Sequence, residues 1–253
     1  MKSQNKNDEV NFFTEFSTDC DYDIFTEDFY SNIIELIKSI WPKLEKIKML
    51  EAGCGTGAFG KRFLKYFDNL DVIGVDITQK MVERANDGTK NYSAIVGDLE
   101  KISFSDSFFD IILCPYILHH FPDISRVIEN FGKWIKNGGF VIIVEPNGSN
   151  PVNRLSKIVR RFLELILGKD YIMKNKWATP NETDHSVRNY KKIFLKNKFK
   201  PIMINGFFIN IKPNTDKVSI FVKMKVFLYD FFRILFPKNL FSANNVMIIF
   251  VKE

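Results

Sequence analysis

The chain has 253 residues, of which 45% are hydrophobic and 26% charged, and its formal net charge is +6. This length and apolar content are enough to bury a core, which excludes a mini-protein that depends on disulfides. Three widely spaced cysteines without a C-x-x-C pair favour a reduced protein with no structural metal. The polar residues 1–9 are followed by no apolar run, so we expect no signal peptide and a cytoplasmic location.

The charge is distributed unevenly along the chain. Residues 1–150 contain 16 basic and 23 acidic residues, a net charge of −7, whereas residues 151–253 contain 20 and 7, a net charge of +13. A basic half favours an anionic acceptor or surface. It contains no recognisable helix-turn-helix or zinc finger, so we expect no nucleic-acid partner.

Segments rich in Ile and Val alternate with helical patterns along most of the chain. The predicted strands are 47–50, 72–75, 94–96, 110–113 and 140–144, followed by a closing pair at 201–208 and 245–252. A helix is predicted over 125–136, ended by Asn137-Gly-Gly139. Continuous apolar strands separated by helices favour an α/β fold, a parallel sheet covered on both faces, with ligands at the carboxyl ends of its strands.

The first predicted strand ends in the glycine turn Glu51-Ala-Gly-Cys-Gly-Thr-Gly57. Glycines let the backbone turn sharply and approach a ligand closely. Asp76 ends the second strand about 20 residues further on, where a carboxylate accepts from ribose hydroxyls in dinucleotide-binding proteins. Gly53, Gly55 and Ala58 also fit the G-x-G-x-x-G/A pattern, so an NAD(P)-dependent reductase remains an alternative.

Two further motifs follow at the ends of the next strands. The third strand ends in Gly97-Asp98-Leu99, and the fourth runs through Cys114 into Leu118-His-His120. The four motifs in this order resemble the class I S-adenosylmethionine-dependent methyltransferases, in particular the small-molecule group with a Leu-His-His turn. The resemblance covers residues 47–146.

The resemblance implies a Rossmann-like sheet of seven strands, mostly parallel, with helices on both faces and a helical cap insertion. Residues 1–45 would form N-terminal helices that cover the cofactor, and residues 46–150 the cofactor-binding core. Residues 151–253 would form a basic helical cap and substrate region together with the closing strands.

The resemblance also implies a role for individual residues around S-adenosylmethionine. Glu51 and the turn of Gly53, Cys54, Gly55 and Gly57 would face its methionine part, and Asp76 its ribose. Ile77 and Met81 would contact the adenine faces, Asp98 would accept from the adenine amino group beside Leu99, and Cys114 would line the pocket. Tyr22 belongs to a recurrent Tyr-Asp pair in the N-terminal helices. The family more often has Asp where this chain has Glu51.

Three residues are candidates for catalysis. A sulfonium already activates its methyl group, so the enzyme mainly aligns the acceptor and excludes water, and a base helps when the acceptor is a hydroxyl. His119 and His120 follow the fourth strand, and we expect one to face the pocket while the other packs away. Glu145 ends the fifth strand, from where it could orient the acceptor. His185 is a further candidate base; the alternative is that Asp184 or Ser186 simply caps the next helix and leaves His185 solvated.

The basic half contains two apolar segments with several interpretations. Residues 154–167 form a basic amphipathic helix, and residues 218–236 are apolar nearly all round but too charged to span a membrane. They fit a lid, an apolar acceptor pocket, a dimer interface or a peripheral contact with the inner face of the membrane, and the oligomeric state stays open. We expect a methyltransferase with a small or lipid-linked acceptor; a non-enzymatic cofactor-binding scaffold is a further alternative.

Overall fold

The fold is described from a computed structural model, over residues 5–17, 25, 27–168, 182–183, 185–208, 227–229, 231, 234, 240 and 243–253. Tyr22, Asp184 and most of residues 218–236 lie outside the described residues, and so do the expectations that concern them.

The strands are β1 (Ile47–Ala52), β2 (Leu70–Asp76), β3 (Tyr92–Val96), β4 (Phe109–Pro115), β5 (Ile135–Pro146), β6 (Phe199–Phe207) and β7 (Asn245–Lys252). They form one sheet in the order β3-β2-β1-β4-β5-β7-β6. The first five are parallel, whereas β7 lies antiparallel between β5 and β6. The predicted mostly parallel sheet and its antiparallel closing pair are confirmed.

The helices are α1 (Lys6–Phe16), α2 (Glu27–Lys38), α3 (Ala58–Leu64), α4 (Gln79–Ala85), α5 (Ser125–Trp134), α6 (Pro151–Leu167) and α7 (Val187–Lys196). A short 3-10 turn at Leu118–His120 follows β4. Every residue of β4 is buried, as expected for a central strand covered on both faces.

Two apolar layers cover the two faces of the sheet. On one face, Phe131 of α5 and Phe194 of α7 belong to a cluster with Ile112 of β4. On the other, Ile34 of α2 and Phe63 of α3 pack with neighbouring strand residues. Because the helices cover the faces, the ligand-accessible positions are at the strand ends.

The prediction for the start of β5 was wrong. The expected helix over 125–136 ends at Trp134, and Ile135 already pairs with Phe109 of β4. Gly138, with φ of +75°, lies within the strand, and the register shifts between Phe109 and Ile111. Gly138 and Gly139 therefore bend strand β5 and do not end helix α5. The helix ends earlier because Ile135 gains a buried pairing position in the sheet.

Helix α6 follows the end of β5. Its first turn is fixed by buried asparagines: the Nδ2 of Asn153 donates to the carbonyls of Asn147 and Asn244, at 2.9 and 3.1 Å. Within the described ranges, none of the helices has the length and apolar content needed to cross a membrane.

Candidate functional site

The glycine turn after β1 has the backbone conformation that only glycine adopts easily. Gly53, Gly55 and Gly57 have φ of +69°, +51° and +80°. A Cβ at Gly53 would lie 2.5 Å from a side-chain carbon of Ile117, and a Cβ at Gly57 would lie 2.7 Å from the ring of Tyr92. The side chains of Ile117 and Tyr92 therefore pack closely against the turn, and the turn itself carries no side chains at its glycines. Such a turn suits a ligand that must approach the main chain.

Asp76 connects this turn to the end of β2. Its Oδ2 accepts from the Gly55 amide and its Oδ1 from the Thr78 amide, both at 2.9 Å. Burial raises the pKa of Asp76, against the opposing effect of these hydrogen bonds. Each carboxylate oxygen has a second lone pair, so Asp76 can hold the turn and still accept from a pair of ligand hydroxyls.

Asp98 lies at the neighbouring strand end and is paired with the N-terminal helix. Lys6 of α1 donates to its Oδ2 at 2.6 Å and to Glu100 at 2.5 Å, while the Glu100 amide donates to its Oδ1 at 3.0 Å. Although burial lowers the pKa of Lys6, these two carboxylates raise it overall. Lys6 was not identified from the sequence, since its partner is 92 residues away.

Glu51 is fully buried below the glycine turn. Its Oε2 accepts from the hydroxyl of Tyr92 at 2.7 Å. Burial raises the pKa of Glu51 to about 7, although the Tyr92 hydrogen bond lowers it. Tyr92 also packs against the turn, as the close approach to Gly57 shows, so it supports both the carboxyl and the backbone.

Four of the expected cofactor contacts are less accessible than the carboxylates. Met81, Leu99 and Cys114 are 1%, 4% and 0% exposed, and Ile77 is half-buried. Leu99 and Cys114 belong to one apolar cluster, and burial raises the pKa of the Cys114 thiol well above its usual range. Their contact with the adenosyl group stays a prediction.

His119 and Glu145 form a buried pair. Glu145 is 0% exposed; its Oε1 accepts from the amides of Ile117 and Leu118, at 2.9 and 2.7 Å, and its Oε2 lies 2.8 Å from His119 Nδ1. An ionised carboxylate only accepts, so Nδ1 carries the proton and Nε2 is the basic nitrogen of the neutral ring. Glu145 therefore fixes both the turn and the tautomer.

His120 has a second carboxylate partner, which comes from the N-terminal helix. Its Nδ1 lies 2.5 Å from Glu9 Oε1, and both side chains are buried. The rings of His119 and His120 are adjacent, with centroids 4.1 Å apart. Each ring therefore has its own carboxylate partner. That one of the two histidines faces the pocket while the other packs away stays a prediction.

His185 is also buried, which contradicts the alternative of a solvated loop residue. It is 6% exposed; its Nε2 lies 2.8 Å from the Phe121 carbonyl, and its Nδ1 lies 3.0 Å from Asn189 Nδ2. The carbonyl can only accept, so Nε2 donates and Nδ1 accepts. His185 thus connects α7 to the end of the 3-10 turn at Leu118–His120, called the His turn below. Ser186 caps α7 as expected, accepting from the Asn189 amide at 3.2 Å.

Comparison with known proteins places this geometry in context. Residues 50–143 match the family model described as "Methyltransferase domain". An uncharacterized methyltransferase of Bacillus subtilis is 33% identical over 103 residues, 39% of this chain and 40% of the relative. The demethylmenaquinone methyltransferase of Thermotoga maritima is 29% identical over 132 residues, 52% of this chain and 56% of the relative. The matches thus span about half the length of these relatives.

A solved structure extends the likeness to most of the fold. The geranyl diphosphate C-methyltransferase of Streptomyces coelicolor, determined with Mg²⁺, geranyl diphosphate and S-adenosylhomocysteine, has a TM-score of 0.64 and 15% identity. The alignment covers 88% of this chain and 79% of that structure. At this identity the likeness concerns the fold alone.

Proposed function

We propose that this chain, whose residues 50–143 match the family model described as "Methyltransferase domain", is a class I S-adenosylmethionine-dependent methyltransferase that transfers the methyl group of its cofactor to a small or lipid-linked acceptor. The observation that carries the proposal is the bare glycine turn beside Asp76, at the carboxyl ends of adjacent parallel strands. That is where ligands bind in open α/β sheets. The family match to the same residues favours a methyltransferase over a nicotinamide-dependent reductase.

The residues at the site fit the cofactor. The turn from Gly53 to Gly57 would hold its methionine part, Asp76 its ribose and Asp98 its adenine. When bound, the cofactor supplies a methyl group already activated by the sulfonium charge. The chain has then to position the acceptor, exclude water and take up a proton when the acceptor is a hydroxyl.

The His turn provides the group for proton uptake. His119 presents Nε2 as its basic nitrogen because Glu145 holds the Nδ1 proton. We assign His119 or its neighbour His120 as the base and Glu145 as a positioning residue. Both Glu145 oxygens accept from the chain's own donors, so the geometry favours action through His119 over direct contact with the acceptor.

Cofactor binding is testable without knowing the acceptor. Calorimetric titration with S-adenosylhomocysteine should show binding to the wild type, weakened about 10- to 100-fold in Asp76→Ala, because a hydrogen bond to a charged group contributes about 1.5–3 kcal/mol. Asp71→Ala is the matched control, since Asp71 is an exposed aspartate at the other end of β2. Binding of NADH in place of the adenosyl ligand would overturn the proposal and support a reductase.

The surface of α6 supports a lipid-linked acceptor. One face of this helix exposes large apolar side chains: Leu155 at 51%, Ile158 at 65%, Phe162 at 62%, Leu165 at 85% and Ile166 at 63%. Arg154 and Arg161 are exposed beside that face. Apolar side chains flanked by arginines match the boundary between anionic headgroups and acyl chains, so a peripheral membrane contact belongs to the proposal.

Vesicle flotation tests this part separately. The wild type should float with vesicles containing phosphatidylglycerol and less with pure phosphatidylcholine, and Phe162→Asp should reduce flotation several-fold. Leu195→Asp is the control, because Leu195 is similarly exposed, at 54%, on α7. Equal flotation of Phe162→Asp and wild type would contradict the membrane contact and leave a small diffusible acceptor.

A further inference from the structure

The N-terminal helix α1 is attached to the sheet at two strand ends. Lys6 pairs with Asp98 and Glu100 after β3, and Glu9 contacts His120 after β4. The two contacts come from residues three apart, which lie on the same face of a helix. The face of α1 that turns toward the candidate cofactor site therefore places Lys6 opposite two carboxylates and Glu9 opposite the ring of His120.

The Glu9 contact is fully enclosed. The side chains of Glu9 and His120 are 5% and 6% exposed, and Phe13, one turn further along α1, packs edge-on against the His120 ring with centroids 5.4 Å apart. A buried carboxylate is costly unless a neighbouring group compensates it, and the ring of His120 is such a neighbour, with its Nδ1 2.5 Å from Glu9 Oε1. The same ring nitrogen, Nδ1, faces a carboxylate in the neighbouring residue, where His119 lies 2.8 Å from Glu145.

We propose that Glu9 is a positioning residue of the methyl-transfer site, and that α1 completes a second carboxylate–histidine pair when it covers the cofactor. This inference rests on the proposed function. With Nδ1 held by Glu9, the ring of His120 has a fixed orientation and its Nε2 is the basic nitrogen. The N-terminal helix then both covers the site and determines which histidine nitrogen can take up a proton.

Several charged or titratable groups act on His120. Burial and the neighbouring His119 lower its pKa, while Glu9 of α1 and Glu145 of β5 oppose the effect. Asp76 of β2 is also close enough to interact with the ring. Removing the Glu9 charge should therefore shift the titration of His120 to lower pH and release the Nδ1 tautomer.

The test is a ¹⁵N NMR titration of the histidine side chains in the full chain, with and without S-adenosylhomocysteine. The chain has three histidines, so His119→Gln and His120→Gln assign the signals. In Glu9→Gln the His120 midpoint should move to lower pH and its protonated nitrogen should change. Glu15→Gln, an exposed glutamate on the same helix, is the matched control and should leave both unchanged.

The outcomes separate this inference from the proposed function. An unchanged His120 titration in Glu9→Gln, or an equal shift in Glu15→Gln, would overturn the assignment. A loss of S-adenosylhomocysteine affinity greater than tenfold in Glu9→Gln would also overturn it, because Glu9 would then act on the cofactor. If wild type binds no S-adenosylhomocysteine, the proposed function fails whatever the histidine spectra show.

Discussion

Removal of the Glu145 carboxylate should destabilise the fold and release the His turn. Three donors converge on this buried group, namely the amides of Ile117 and Leu118 and the Nδ1 of His119. In Glu145→Ala each donor loses its acceptor at a site that water does not reach. At about 1–3 kcal/mol per unsatisfied donor, we expect a loss of about 3–9 kcal/mol in the free energy of unfolding. At about 2–4 °C per kcal/mol for a domain of this size, the melting temperature should fall by about 6–36 °C.

The variant Glu145→Gln separates the effect of Glu145 on the stability of the fold from its effect on the tautomer of His119. Its carbonyl oxygen can still accept from the two amides, whereas its NH2 group would face His119 Nδ1 and repel a proton there. We therefore expect a small stability loss, about 1–2 kcal/mol, together with a change of the His119 tautomer to Nε2–H. Nε2 would then cease to be the basic nitrogen.

Urea unfolding and ¹⁵N histidine spectra measure the two effects. Glu35→Ala, on an exposed position of α2, is the control and should leave the unfolding midpoint almost unchanged. The reasoning is refuted if Glu145→Ala unfolds at the same urea concentration as the control, or if the His119 tautomer is the same in wild type and Glu145→Gln.

Three further predictions concern the cofactor side of the site. Gly53→Ala should lose more stability and more S-adenosylhomocysteine affinity than Gly88→Ala, because both have positive φ but only a Cβ at Gly53 meets a neighbour, Ile117 at 2.5 Å; equal losses in melting temperature would show that backbone strain alone matters. The pKa of Glu51 is raised in the folded state to about 7, so its protonated form favours folding. As the pH rises from about 4.5 through 7, the wild type should therefore lose about 3 kcal/mol of stability relative to Glu51→Gln. Parallel curves of stability against pH for the two proteins would contradict this. Lys6→Met removes the ion pairs with Asp98 and Glu100, so limited proteolysis should cleave α1 several-fold faster than in the control Lys80→Met, which changes an exposed lysine of α4. Identical cleavage rates would show that these ion pairs do not hold α1 to the sheet.

The sequence alone predicted which segments form the seven strands and placed the candidate cofactor site at the strand ends. Ile- and Val-rich segments alternating with helices identify a parallel sheet, and the glycine turn with Asp76 and Asp98 marks the carboxyl ends of its strands. These signals are local, since a strand end or a turn needs residue types within a few positions of each other. That is why all seven strands were found, with the exception of the first residues of β5, where pairing of Ile135 with Phe109 overrode the helical pattern.

Tertiary structure decided which side chains act together. Glu9 meets His120 across 111 residues of sequence and Glu145 meets His119 across 26, and nothing near Glu9 in the sequence marks it as part of the site. The burial of His185 likewise depends on the Phe121 carbonyl, contributed by the His turn. Chain folding brings these groups within hydrogen-bond distance, and burial makes each pairing obligatory, because an unpaired carboxylate or imidazole would lose its hydration without compensation.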